Sequence, residues 1–368
     1  MRIILCGGGT AGHINPAIAI AEEINRQDNN SKILFVGREG GKENNLITNL
    51  GFDLITLNIR GLKRSLTPEN IAIIKKAITA RTEAKKIIES FKPDIILGTG
   101  GYVCWPVIEA GHKMGIPTVI HESNIIPGLT TRLLANKCNL VLLNHAETKY
   151  RLRKCAIKKV VGNPLRSEFL NINRYEARKA LNLNDSDIFI LSFGGSIGAN
   201  KINRCVLGLM TDFSSKQMSV MHIHGCGERY YEEIRNHLPE LKGSRCKILP
   251  YIHNMPQMMH AADIVICRCG SVTLSEISQV GVASILIPSP NVTGNHQYKN
   301  AKHLQDLGAA MMIEEKELDK DKLIAAVKLL KSDKNGRKKR AKIINSLSSP
   351  NSAKNIVNEL KSLIYTNQ

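Results

Sequence analysis

Short runs of consecutive apolar residues recur along the chain, each bounded by glycine, proline or charged positions. They include the start Ile3–Leu5, then KILFV (32–36), DIILG (94–98), TVIHE (118–122) and LVLL (140–143). IFILSF (188–193), DIVIC (263–267) and SILIP (284–288) continue the series. Unbroken rather than alternating apolarity predicts strands buried on both faces of a parallel sheet. Helical patterns lie between the runs, so the order is that of doubly wound α/β units.

The plan occurs twice. DIILGTGGY, a helical stretch and GIPTVIHE in the first half match DIVICRCGS, a helical stretch and GVASILIP in the second. Asp94 to Gly115 spans 21 residues and Asp263 to Gly281 spans 18. Each half also opens with a strand and a glycine turn, IILCGGGTAG and FILSFGGSIGAN. Two Rossmann-like domains in tandem are predicted, joined at VVGNPLRSEF (160–169), with ligand sites at the carboxyl ends of the strands and a cleft between the domains. At 368 residues the chain is long enough for two cores.

Composition narrows the partners. A net charge of +19 points to an anionic partner: nucleic acid, a phosphorylated substrate or an acidic lipid surface. With only 4% aromatic residues the chain lacks the stacking platforms of single-strand binders. Nine cysteines without a CxxC spacing, Cys267 and Cys269 being the nearest pair, are expected as reduced thiols packed as small hydrophobes. The apolar start is too short for a signal peptide, and no run reaches the ~18 residues of a spanning helix. The basic run KNGRKKRAK after Lys331 reads as a solvated face, and Ser352–Ile364 as a closing helix.

Several motifs carry candidate chemistry. GGGTAG (7–12) satisfies GxGxxG, but the second strand ends VGREG, placing Gly37 and Arg38 where a dinucleotide fold wants its acid, with Glu39 just beyond. A Walker loop fails because His13 stands where lysine is needed. Three glycines in a row demand close backbone approach or positive φ, and the turn offers N–H groups at a helix start. GGSIG (194–198) matches the hydrolase elbow GxSxG without its oxyanion motif, so Ser196 is read instead as holding a phosphate with nearby amides. DSD (185–187) precedes a strand and is read as a turn or solvated loop. In GSVTLSE (270–276), Ser271 or Thr273 can cap a helix, and Glu276, one turn in, is placed to accept two ribose hydroxyls. HESN (121–124) closes a buried strand with four polar residues, the mark of a strand end that lines a site.

Together, GGGTAGH, GTGGY, HESN followed by GLTTRLLA, VGNPLR, GGSIGA, CRCGSVTLSE and HQYKNA resemble the MurG family in order and spacing, from the first strand to at least Ala301. The resemblance implies an α/β GT-B fold of two tandem Rossmann-like domains, residues 1–162 binding acceptor and 163–349 binding UDP-GlcNAc, with a helix over about 350–368 packing back on the first. It implies an inverting, metal-independent hexosyltransferase without cofactor, moving N-acetylglucosamine from UDP-GlcNAc to the MurNAc 4-hydroxyl of lipid I to give lipid II for peptidoglycan. The implied location is peripheral, on the cytoplasmic face of the bacterial membrane, with an anionic lipid surface and other cell-wall synthesis proteins as partners and no nucleic acid. The rival reading is a UDP-GlcNAc 2-epimerase-like enzyme, which would not need HESN or GTGGY; a dehydrogenase is third.

By motif, the resemblance assigns uracil to the backbone of Ile252 and ribose to Glu276. Ser196 and the Ser271, Val272, Thr273 helix start take the diphosphate, with Arg166 near phosphates and sugar. Gln297 holds sugar hydroxyls, and Thr10, Ala11, Gly12 and Asn124 line the donor sugar from the first domain. His13 is the natural base for the acceptor hydroxyl and Glu122 the second candidate. Two positions depart from the family pattern, His296 for a glutamine and Val103-Cys104-Trp105-Pro106 for a small Ser-Gly-Pro type turn. Residues 60–92 suggest an interfacial helix: Thr67 as cap, Pro68 first, an Ile71/Ile74/Ile78 stripe, and nine basic residues against three acids. The competing expectation is that Ile73, Ile87 and Ile88 pack on the sheet.

Overall fold

The computed structural model describes the chain except residues 42–43, 62–68, 153–156, 196, 216–219, 237–240, 242–243 and 367–368; the side chains of 11, 69–72, 74–75, 215 and 293 are also outside the described set. The chain forms two compact units, Met1–Ser167 with Ser349–Gln368, and Glu168–Ser348.

The first unit holds β1 (Arg2–Cys6), β2 (Lys32–Arg38), β3 (Asp53–Leu57), β4 (Ile95–Gly98), β5 (Thr118–Glu122), β6 (Leu140–Leu143) and β7 (Lys158–Val160). Their order is β3-β2-β1-β4-β5-β6-β7, and every pairing is parallel. Helices α1 (Ala11–Gln27), α2 (Asn44–Asn49), α3 (Glu69–Phe91), α4 (Cys104–Lys113) and α5 (Leu129–Leu134) connect them. The run Ile3–Cys6 is apolar throughout because both sheet faces are covered. Ile3 and Leu5 pack with Ile14 and Ile18 of α1 and with Ile356 and Leu360 of the C-terminal helix Ser352–Thr366. Ile4 and Cys6 pack with Ala84 and Ile88 of α3 and Val107 and Ile108 of α4.

The second unit repeats the plan with β8 (Ile188–Phe193), β9 (Val220–Gly225), β10 (Cys246–Leu249), β11 (Ile264–Cys267), β12 (Ala283–Leu286) and β13 (Met311–Met312), in the order β10-β9-β8-β11-β12-β13. All its pairings are parallel too. Its helices are α6 (Glu168–Asn171), α7 (Arg174–Ala180), α8 (Asn200–Ser215), α9 (Glu228–Ile234), α10 (Met255–Ala261), α11 (Ser271–Val280), α12 (His296–Asp306), α13 (Lys320–Ser332) and α14 (Lys334–Asn345); the C-terminal helix is α15. The matched glycines play one part in both units. Gly115 and Gly281 adopt φ of 73° and 69°, after α4 and α11 respectively, and lead into β5 and β12.

In each sheet the chain reverses its winding direction at the centre, between β1 and β4 and between β8 and β11. The strand ends beside such a switch diverge, and there a doubly wound sheet accepts ligands. GGGTAGH and GTGGY follow β1 and β4; GGSIG and RCGS follow β8 and β11.

Some sequence expectations meet the structure differently. The cap of α11 is Gly270, extended at φ −65° and ψ 141°, and Ser271 is the first helical residue, so neither Ser271 nor Thr273 is the cap. The helix begins one residue earlier than a Ser271 cap requires, and glycine is tolerated at the cap position. DSD is a turn as expected, and Asp187 is buried and paired with Arg245 at 2.6 Å. Of the 60–92 reading, Thr67, Pro68, Lys63 and Arg64 lie outside the described residues, as do the side chains of Ile71, Ile74 and Lys75. Ile88 is buried against the sheet and Ile87 packs beside it, whereas Ile78 is 50% exposed. Among the described residues no helix is long and apolar enough to cross a membrane. The described cysteines are all free thiols, and all but Cys246 are buried. The lysines of α14 at 334, 338, 339 and 342 are exposed, and Asp333 caps the helix by accepting from Gly336 N at 2.7 Å.

Among the described residues three histidines are fully enclosed: His121 in β5, and His222 and His224 in β9. Burial lowers His121 and His224 from 6.5 to about 4, and burial together with the neighbouring His224 lowers His222 well below 6.5. Each folded pKa therefore lies under its unfolded value, and unfolding takes up protons once pH drops below about 6.5. Stability is complete above that pH and is lost toward pH 4, at roughly 1.4 kcal/mol per unit for each histidine. Urea unfolding followed from pH 7.5 to 5 should show this steep decline. A flat profile would mean that these imidazoles titrate alike in the folded and unfolded chain.

Candidate functional site

In the first unit the glycine turns after β1 and β4 lie against each other. Gly101, at φ 83°, presses on the carbonyl of Gly8 so closely that no side chain fits between them, and Gly9, at φ 89°, lies against the Tyr102 ring. What approaches the three glycines, then, is in the first place the second glycine turn. Thr99 fastens the pair by donating its hydroxyl to the carbonyl of His13 at 2.6 Å. Thr10 caps α1 from an extended conformation and is exposed. Ala11 and Gly12 form its first turn, where helix geometry turns N–H groups outward. Pro16 has no proton to offer the carbonyl of Gly12, so the helix also leaves that acceptor without its usual partner. His13 is half-buried with its ring over Gly100, and its Nδ1 is shielded from solvent there.

The end of β5 is organised by Glu122. Its Oε1 accepts from the backbone N of Asn124 at 2.9 Å and from Asn124 Nδ2 at 3.1 Å. Its Oε2 accepts from Gly128 N at 2.9 Å and from the Thr131 hydroxyl at 2.7 Å. Four donors on a buried carboxylate describe a residue that shapes the HESN loop, not one waiting for a substrate proton. His121 hydrogen-bonds the carbonyl of Gly162 at 2.9 Å, and Ser123 donates to Asn163 at 3.0 Å. Thr148 reaches back to the carbonyls of Asn124 and Ile125. Arg166 is half-buried near the end of this unit's first segment. Trp105 stands near the start of α4, partly buried on the α3–α4 core.

In the second unit the start of α11 is the centre of organisation. Leu274 N returns to the carbonyl of Gly270 at 3.0 Å, so Ser271, Val272 and Thr273 supply the outward N–H groups of the first turn. Glu276 is buried on the same helix and faces back toward β11: burial first and its carboxylate second push the Cys267 thiol up. Gln297 Oε1 accepts from Ser289 N at 2.9 Å and from Cys269 N at 3.3 Å. Those two bonds fix the amide's orientation and direct its NH2 group away from the backbone it grips. Asn300, one turn later, donates to the carbonyl of Cys269 at 3.3 Å. Cys269 is thus held on both sides, which sets the loop entering α11. Ile252 is buried on Gly225, and among the described residues its backbone N–H and C=O have no hydrogen-bond partner. Ser196 lies outside the described residues.

Sequence reasoning passed over Thr99, Thr131, Thr148, Asn163 and Asn300. All but Thr148 lie inside motifs read for other residues, GTGGY, GLTTRLLA, VGNPLR and HQYKNA, and their partners, from nine residues away for Thr131 to 86 for Thr99, are not announced by those motifs.

Residues 3–143 match the glycosyltransferase family 28 N-terminal domain, and residues 189–359 match the C-terminal domain of the same family. Over 364 residues the chain is 39% identical to the UDP-N-acetylglucosamine–N-acetylmuramyl-(pentapeptide) pyrophosphoryl-undecaprenol N-acetylglucosamine transferase of Acetivibrio thermocellus, covering 99% of this chain and 98% of that one. The enzyme of the same name from Thermoanaerobacter sp. is 43% identical over 333 residues, covering 90% and 91%. The chain belongs to the MurG family of glycosyltransferases. The crystal structure of Acinetobacter baumannii MurG superposes with a TM-score of 0.76 at 25% identity, covering 98% of this chain and 99% of that one. UDP-GlcNAc 2-epimerase from Neisseria meningitidis superposes at 0.68 with 15% identity, covering 98% and 100%, and shares the fold alone.

Glu122→Gln tests the loop reading. An amide in that position turns one NH2 group toward N–H and O–H donors, so folding free energy should fall by about 2 kcal/mol, measured by urea denaturation. Equal stability of variant and parent would mean the loop is held by other bonds.

Proposed function

We propose that the chain transfers N-acetylglucosamine from UDP-GlcNAc to the MurNAc 4-hydroxyl of lipid I, inverting the anomeric carbon and giving lipid II for peptidoglycan synthesis. The observation that carries this reading is the near full-length identity to transferases of that name in two bacteria. The epimerase-like alternative has only a shared fold behind it.

Residue roles follow from chemistry. Departure of UDP places new negative charge on the diphosphate, and the outward N–H groups of Ser271, Val272 and Thr273 meet it at a positive helix end. Ser196 and the β8–α8 turn add to this, as does the Arg166 cation. Glu276 accepts the ribose hydroxyls, the Ile252 backbone pairs with the uracil edge, and the Gln297 NH2 group donates to sugar hydroxyls. In the first unit, Thr10, Ala11, Gly12 and Asn124 handle the transferred sugar. His13 takes the acceptor proton; with Nδ1 shielded by Gly100, that task falls to Nε2. Glu122 keeps Asn124 in place.

The test is incubation of purified protein with labelled UDP-GlcNAc and a lipid I analogue, reading out the disaccharide. No product would sink the assignment. His13→Ala should lower turnover on the order of 10²–10⁴-fold while leaving UDP affinity unchanged; normal turnover in the variant would place the base elsewhere.

The polyprenyl acceptor stays in its bilayer, so the enzyme works at a membrane surface, read here as the anionic cytoplasmic face alongside other cell-wall enzymes. The exposed Ile78 and the basic excess of residues 60–92 support α3 as the docking helix. Sedimentation with vesicles should require anionic lipid, weaken with salt, and fall when Lys75 and Lys76 become Glu, each lysine contributing about 1 kcal/mol. Equal binding to neutral vesicles, or none to anionic ones, would exclude electrostatic docking there.

A further inference from the structure

Beneath the β8–α8 turn lies a buried polar chain. Ser192 of β8 sits opposite His224 of β9 in the sheet register, with His222 two residues earlier on the same face. The Ser192 hydroxyl is 2.7 Å from His222 Nε2 and 2.8 Å from His224 Nδ1. His224 Nε2 is 3.0 Å from Asn203 Oδ1, and Asn203 Nδ2 donates to the carbonyl of Cys226 at 3.0 Å. All four side chains are at most 2% exposed.

The proton positions follow from the last link. A carbonyl only accepts, so Asn203 presents its NH2 to Cys226 and its oxygen to His224. With its proton on Nε2, His224 offers a bare Nδ1 that accepts from the Ser192 hydroxyl; the Ser192 carbonyl also lies 3.2 Å from that nitrogen and receives no proton from it in this arrangement. Ser192 in turn accepts from His222 Nε2–H. The bonds of this arrangement run from His222 to Cys226, with His222 Nδ1 enclosed and without a partner, and burial keeps both rings neutral.

The chain ends where the turn rests. Gly198 packs directly on the Cys226 carbonyl, and a side chain at Gly227 would meet Gly198 N at 2.6 Å. Both glycines have positive φ, 76° and 88°, and neither position has room for a side chain. The seat of the β8–α8 turn is therefore the carbonyl that Asn203 holds, and Asn203 itself belongs to the first turn of α8.

We infer that Ser192, His224 and Asn203 are positioning residues that set the β8–α8 turn for the diphosphate of a nucleoside diphosphate. This rests on the donor reading of the second unit given above. The relay touches no ligand. It acts by fixing the carbonyl against which the turn is packed, and loss of one bond lets the turn drift from the geometry that meets the phosphates.

The experiment uses the full chain with UDP as probe, comparing calorimetric UDP affinity, KM for UDP-GlcNAc, acceptor KM and thermal midpoint. Asn203→Ala should weaken UDP about ten-fold, one hydrogen bond's worth, and raise donor KM in step, with acceptor KM unchanged. Ser192→Ala, which removes a single hydroxyl, should act in the same direction. His224→Gln keeps a donor for Asn203 and should retain affinity within about threefold. Val206→Ala, an apolar truncation in the same helix, should lower the midpoint and leave UDP binding alone. UDP affinity unaltered in Asn203→Ala and Ser192→Ala, or lost equally in Val206→Ala, would overturn the positioning role while the donor reading stands. Failure of the parent chain to bind UDP would overturn both.

Discussion

A parallel sheet covered by helices on both faces has no surface left for chemistry except the ends of its strands. Everything polar in this protein is arranged under that constraint. The central strands are apolar on both sides, so their carboxyl ends emerge together beside the point where the winding reverses, and the turns leaving them must share a small space. Glycine solves the crowding. Gly8 meets Gly101 in the first unit, and Gly198 meets Cys226 and Gly227 in the second. In the second unit one of these strands continues into a helix start, the first turn of α11, that exposes N–H groups beside a buried carboxylate, while in the first unit His13 stands in the opening turn of α1. A turn that looks like a ligand motif in sequence is thus also a packing device, and the two demands select the same residue.

The sequence made the central strands legible because double burial leaves an unbroken apolar run, and β2, β5, β6 and β8 all contain theirs. It was poorer at β9, whose six buried residues include two histidines. Neutral, hydrogen-bonded imidazoles behave as core residues there, but nothing local announces that their partners will be Ser192 and Asn203. Edge strands gave weak signals for the opposite reason: β3 and β7 face solvent, and their polar positions break the pattern. At the sites, Glu276 and Gln297 could be found from position and motif. The four bonds to Glu122 could not, since Gly128 and Thr131 become donors only through the loop's path. The N-cap of α11 proved to be Gly270, because the helix begins at Ser271 itself.

The two halves reach similar geometry by different means. In the first unit the Thr99 hydroxyl joins the turn after β4 to the carbonyl of His13, and Cys104 Sγ ties Gly100 to the carbonyl of Cys6. In the second a four-residue relay supports the turn after β8 from below. Buried polar groups are costly unless hydrogen-bonded, and this network, satisfied except at His222 Nδ1, specifies one arrangement more strictly than apolar packing does.

The chain leaves the first unit after Ser167 and returns to it at Ser349, so that Ile356, Val357 and Leu360 complete a core begun at Ile3. Lys361 even reaches Gln27, 334 positions away. During synthesis the second unit can therefore close on itself while the first still lacks one wall. The ribosome emits this protein's beginning first, but that beginning becomes whole only when the last helix has emerged.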